Sequence, residues 1–160
     1  VYSQPLRSHW LVGGASNSGG EVLKSFFTIQ QMELMTGELM QQINNGIFTF
    51  MNLNYYPLID PGERFPIPDP QLPPRLQPRP ESNTLFFQAL LEGMADIETL
   101  SYQRLLELGA PYPKIIRSIG GGAANPVWRT IREHKTGVPV KLAAYEQAAA
   151  GAAILAQSEW

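Results

Sequence analysis

Residues 57–80 set the tightest limit on what this chain can fold into, because nine of those 24 positions are proline. Proline fixes φ and lacks an N–H, so the stretch is excluded from a regular helix and from a central strand. Ordinary secondary structure is confined to the regions before and after it. Flexible spacers are poor in aromatic residues, whereas Tyr55, Tyr56 and Phe65 stand in or beside this segment, so a loop pinned to the surface of the domain is expected. Within it, Pro70-Gln71-Leu72-Pro73-Pro74-Arg75 matches the P-x-x-P-x-R pattern that lies in aromatic grooves, and recognition by a partner domain stands beside the reading as a plain proline-rich loop.

Before the loop, His9-Trp10-Leu11-Val12-Gly13-Gly14 reads as a short apolar strand that runs into Ser16, Asn17, Ser18, Gly19 and Gly20. Val22, Leu23, Phe26, Phe27 and residues 29–35 recur at roughly helical spacing, and a second helical piece over residues 36–43 stops at Asn44-Asn45-Gly46. Residues 47–53 alternate in part and are expected to be β. After the loop, Ser82-Asn83 caps the longest helix, with Phe86, Leu90, Met94, Ile97, Leu100, Leu105 and Leu108 on one stripe and Gly109 and Pro111 as its end. A strand over residues 114–119, a helix over 126–135 stopped by Gly137, a strand over 138–142 and an alanine-rich helix over 145–157 complete the chain. Strand, helix, strand and helix joined by short turns imply an α/β layer whose ligand edge lies at the strand ends.

Composition narrows the chemistry. With 160 residues, one domain with a real core is expected, and a net charge of −2 gives no basic footprint for nucleic acid. No cysteine is present, which removes disulfide, thiolate and zinc-finger chemistry. No apolar window spans a bilayer, so no membrane partner is expected. A chain that opens at Val1 without Met reads as a piece of a longer protein. There is no P-loop pattern, no G-x-G-x-x-G and no nucleophile elbow, and His9 and His134 stand apart from any partner at metal-ligand spacing. Two glycine-rich strand-to-helix junctions remain, residues 16–20 and 120–125. In the second, Ile119 drops into Gly120-Gly121-Gly122, and Asn125-Pro126 opens a helix as N-cap and first helical residue. Bare backbone there lets a flat or anionic ligand approach the amides beside a helix start. The same residues also make a tight turn with a good cap. Aimed at one cleft, two such junctions would hold the two ends of a nucleotide.

The order of GGASNSGG, LNYYPL, PGERFP, the helix LFFQALLEGMADIETLSYQRLLELG, GGGAANPVWRTIR, GVPV and YEQAAAGAAILA resembles the C-terminal lobe of the FGGY carbohydrate kinases over nearly the whole chain. The resemblance implies an α/β lobe with the actin-like, ribonuclease H-like fold, the C-terminal nucleotide-binding lobe over residues 1–160 with the proline-rich loop 57–80 as an excursion. It implies ATP and Mg2+ as cofactors, with the metal held mainly by residues outside the chain, and an ATP-dependent kinase as parent. Gly121, Gly122 and Asn125 match the positions that line adenine and ribose, and Trp128 is placed to wall the base or to serve the core. Gly19 and Gly20 match the turn that faces the phosphates, with Lys24 near them or simply solvated. Within the family the chain is most similar to pentulose kinases, implying a ketose such as D-ribulose or D-xylulose and a cytoplasmic location, or a plastid for a plant parent. It departs from the family at Thr130 and His134, where a Gln and an Asp are frequent. The general-base aspartate, the sugar contacts and two phosphate loops have no counterpart and are expected upstream of Val1; Asp60, Asp69 and Asp96 are not promoted to base. The isolated chain is accordingly expected to be inactive, with sugar reached only through the other lobe. The rival readings are another actin-like ATPase and a proline-rich interaction module.

Overall fold

The computed structural model describes residues 1–6 and 8–157. A hairpin of β1 (Tyr2–Leu6) and β2 (His9–Gly13) leads to a short helix α1 (Gly20–Lys24) and a longer one, α2 (Ile29–Asn44). After the irregular middle of the chain come α3 (Asn83–Glu107), β3 (Ile116–Ser118), α4 (Pro126–Thr136), β4 (Val140–Leu142) and α5 (Ala148–Gln157). The two sheets are separate. β1 and β2 pair antiparallel, whereas β3 and β4 pair parallel with Ile116 opposite Val140 and α4 as their crossover. The expected strand–helix–strand–helix order is present, with strands of three residues where six and five were expected.

The core is built on α3. Ser82 caps it by accepting from the Leu85 N–H, and residues 86–95 and 97 are all buried. The expected single stripe holds for Phe86, Leu90, Met94 and Ile97, whereas Leu100 and Leu105 are only half-buried and Leu108 is 66% exposed. The first half of the helix is covered on every side because α2, α4 and residues 48–55 pack around it, so its burial exceeds what one apolar stripe implies.

Two expectations are corrected. The helix proposed through residues 22–35 is broken at 25–28, where Thr28 starts α2 with a capping box: its hydroxyl accepts from Gln31 N and its own N–H donates to the Gln31 side chain. Phe27 sits buried in that break, edge-on to Phe87 at 5.9 Å. Residues 47–53 do not form a strand. Asn52 and Asn54 take positive φ values of 51° and 56°, which no ladder accommodates. Three backbone groups of this segment are satisfied by side chains from α3: Met51 and Asn52 donate their N–H groups to Glu92 at 2.9–3.1 Å, and Gln88 donates to both the Thr49 carbonyl and Glu92 at 2.7 Å. A polar pair one helical turn apart thus does the work of a partner strand.

The proline-rich loop is ordered as expected. Tyr55, Tyr56, Leu58 and Phe65 are buried, Tyr56 and Arg75 exchange backbone hydrogen bonds, and the Tyr55 hydroxyl donates to the Pro78 carbonyl at 2.6 Å. Arg75 also donates to the Asn54 carbonyl and side chain, so the basic residue of the P-x-x-P-x-R pattern is held within the chain. The loop lies so close to α3 that a β-carbon on Gly93 would stand 2.8 Å from Tyr55 Cβ and 3.0 Å from Pro57.

Glu92→Leu is predicted to lower stability by about 2–3 kcal/mol, because it removes the acceptor of the Gln88 amide and of the part-buried Met51 and Asn52 N–H groups. Urea denaturation of the chain reads this directly, and an unchanged midpoint would remove the side-chain substitute for a strand. Gly93→Ala is predicted to cost about 1–3 kcal/mol through overpacking against Tyr55.

Candidate functional site

The turn after β2 and the turn between β3 and α4 open on the same cavity, of about 620 Å3. Gly13, Gly14, Ser16, Ser18, Gly19 and Gly20 line it from the first turn, and Ser118, Ile119, Gly122, Ala123 and Asn125 from the second. Leu91, Met94 and Ile97 of α3 supply an apolar floor, with Trp128 and Arg132 of α4 beside them. The convergence expected of the two junctions is therefore present. Phe65 ties the proline-rich loop into the same wall, and a β-carbon on Gly14 would collide with its ring, so a side chain there would force the ring to move.

The seven residues singled out from sequence divide. Gly19, Gly20, Gly122, Asn125 and Trp128 line the cavity. Gly121 is exposed and lies outside the lining, and Lys24 forms an exposed ion pair with Glu21 at 2.6 Å. Asn125 caps α4 through Trp128 N at 3.0 Å, while its NH2 donates to the Thr36 hydroxyl at 2.9 Å. Its amide thus locks the second turn to α2. Trp128 is half-buried and belongs partly to the main core, so it serves the packing and the cavity wall together.

The cavity also contains a polar cluster that sequence reasoning missed. Arg132 donates twice to Glu98, at 2.6 and 2.7 Å, and once to the Ser118 hydroxyl, which joins α3, α4 and β3. The Arg132 guanidinium lies 5.4 Å from the Trp128 ring centre. Tyr102 donates to Glu98 at 3.1 Å, and burial, followed by the Glu98 charge and this hydrogen bond, pushes its hydroxyl up to about 12. The available signal was spacing: Glu98 and Tyr102 stand one turn apart on α3, and Arg132 follows Trp128 by one turn on α4. The two departures from the family pattern lie elsewhere, Thr130 bonded to the Pro126 carbonyl and His134 stacked on Phe50 at 3.9 Å. Neither is among the lining residues.

Acidic chemistry in the cavity is limited. Among the described residues Glu98 is the one carboxyl-bearing residue in the lining, and Arg132 holds both of its oxygens. Asp60, Asp69 and Asp96 do not line it; Asp96 pairs with Lys135 at 3.0 Å and Asp69 accepts from Gln71 N. Among the described residues, no three His, Asp or Glu side chains converge to hold a metal ion, and no helix is long and apolar enough to cross a membrane. The family model for the C-terminal domain of the FGGY family of carbohydrate kinases matches residues 1–160.

Asn125→Ala is predicted to destabilise the chain by about 0.5–2 kcal/mol through loss of the α4 cap. Asn125→Asp should melt close to wild type, since aspartate caps equally well and the Thr36 hydroxyl can turn to donate. Thermal melts of both variants check this, and an alanine variant as stable as wild type would contradict the capping role.

Proposed function

The chain belongs to the FGGY family of carbohydrate kinases, and from that premise we propose that it binds the adenosine moiety and part of the phosphates of ATP in the cavity between its two glycine-rich turns. Family membership makes it an actin-like ATPase-type lobe, to which the mixed α/β architecture conforms. The observation that carries the nucleotide reading is that both turns line one space of about 620 Å3, within the range of small-molecule sites.

Within that space the apolar residues Leu91, Met94 and Trp128 suit a flat base, with Gly122 leaving room for its approach and Asn125 fixing the turn. Gly19 and Gly20 stand at the other end, where exposed backbone amides suit phosphate oxygens. Gly121 and Lys24, carried over by family position, contribute from outside the lining.

The parent enzyme is proposed to phosphorylate a ketose such as ribulose or xylulose. A sugar hydroxyl attacks the γ-phosphorus in line while an aspartate supplied by the parent takes its proton, and the bond from that phosphorus to the β,γ-bridging oxygen breaks to release ADP. This chain contributes positioning: among the described residues Glu98 alone brings a carboxyl group to the cavity, and Arg132 holds both of its oxygens. Magnesium, used by the family beside ATP, finds no three-ligand set among the described residues.

Calorimetric titration of the chain with ADP is expected to give saturable one-site binding. Gly122→Val is predicted to weaken it at least about tenfold by filling the space before the Trp128 ring, equivalent to ~1.4 kcal/mol, whereas Gly121→Val should have the smaller effect. Equal losses, or none in folded variants, would contradict the placement. In coupled assays with ribulose, xylulose or glycerol the chain alone is expected to show only background turnover, and activity that survives purification would overturn the division of labour.

A further inference from the structure

Glu63 lies in the proline-rich loop and is 4% exposed, yet it faces no cation among its hydrogen-bond partners. Its carboxyl group instead accepts four hydrogen bonds. One oxygen takes the Ser16 hydroxyl at 2.6 Å and the Tyr56 hydroxyl at 2.9 Å; the other takes the backbone N–H groups of Asn17 at 2.7 Å and Arg64 at 2.8 Å. Two of these donors belong to the first glycine-rich turn, 46 and 47 residues away in sequence. Asn17 strengthens the joint by donating to the Gly62 carbonyl and accepting from Arg64.

The consequence reaches the cavity through Ser16. Its hydroxyl, already donating to Glu63, accepts the Ser18 N–H at 3.0 Å, which sets the backbone just before Gly19 and Gly20. Ser18 lines the cavity, and its hydroxyl oxygen is the one buried side-chain polar atom without a hydrogen-bond partner among the described residues. With its N–H held by Ser16 and its hydroxyl oxygen shut off from solvent, Ser18 shapes the turn that leads into Gly19 and Gly20.

We propose that Glu63 is a positioning residue for phosphate binding: through Ser16 and the Ser18 N–H it holds the 16–20 turn in the form that presents Gly19 and Gly20 to the phosphates of the nucleotide. This rests on the nucleotide reading above and assigns a role to the proline-rich loop, which becomes part of the binding apparatus. Glu63 itself touches no ligand.

The test compares ADP with adenosine, which lacks the phosphates, by calorimetric titration of the whole chain. Ser16→Ala removes both links of the relay and is expected to weaken ADP binding about tenfold while adenosine changes less than about twofold. Glu63→Ala should do the same, with a larger loss of thermal stability. Glu63→Gln keeps an acceptor toward the two N–H groups, and the Ser16 and Tyr56 hydroxyls can reverse their roles, so it is expected to retain ADP affinity near wild type. Should Glu63→Ala fail to fold, Ser16→Ala and Glu63→Gln decide the matter. Wild-type ADP affinity in Ser16→Ala, or an equal loss for ADP and adenosine, would overturn the positioning role. A wild-type chain that binds neither ligand would overturn the nucleotide reading itself.

Discussion

The structure depends on a helix whose first half is buried all round while the chain packed against it has no partner strand. In most α/β proteins a segment such as residues 47–54 would settle its backbone in a ladder. Here Gln88 and Glu92 reach out of the most buried part of α3 and satisfy three of its backbone groups instead. The arrangement places polar groups where hydrophobic burial is densest, and it persists because each donor aimed at Glu92 finds a carboxyl oxygen at 2.7–3.1 Å. Once residues 47–54 are fixed on α3, Tyr55 and Tyr56 enter the core behind them, and the proline-rich loop is anchored at its start.

From that anchor the functional geometry follows in two branches. One runs through the loop to Glu63 and the first glycine-rich turn. The other runs along α3 to Glu98, across the ion pair to Arg132 on α4, and on to Ser118 at the end of β3, where the second turn begins. Both turns are therefore referred to the same helix, one by way of each of its flanks. A buried pair such as Glu98–Arg132 is weak evidence for stability, since desolvation offsets much of the attraction, but its two-point geometry fixes orientation.

Local signals in the sequence were legible where one residue type has one mechanical use. Asn125-Pro126 announced the start of α4, Gly137 its left-handed cap, and Ser82 the start of α3. The proline content correctly excluded regular structure from residues 57–80, and the aromatic anchors correctly argued for order. What remained hidden was the partner of each buried polar group. Glu63, Gln88, Glu92, Glu98 and Arg132 are ordinary surface residue types, and only the fold brings each to donors or acceptors 34 to 47 residues distant. For the same reason residues 47–53 read as β: the alternation was real, but Asn52 and Asn54 turn the backbone out of register and α3 takes the place of a neighbouring strand.

The central claim is that two turns separated by a hundred residues form one nucleotide site. Amide chemical shifts recorded while ADP is titrated into the isotopically labelled chain test it most directly. The account predicts that the amides of Ser18, Gly19 and Gly20 and those of Gly122, Ala123 and Trp128 move together and saturate with a single dissociation constant. Shifts confined to one turn, or two turns saturating with different constants, would contradict it.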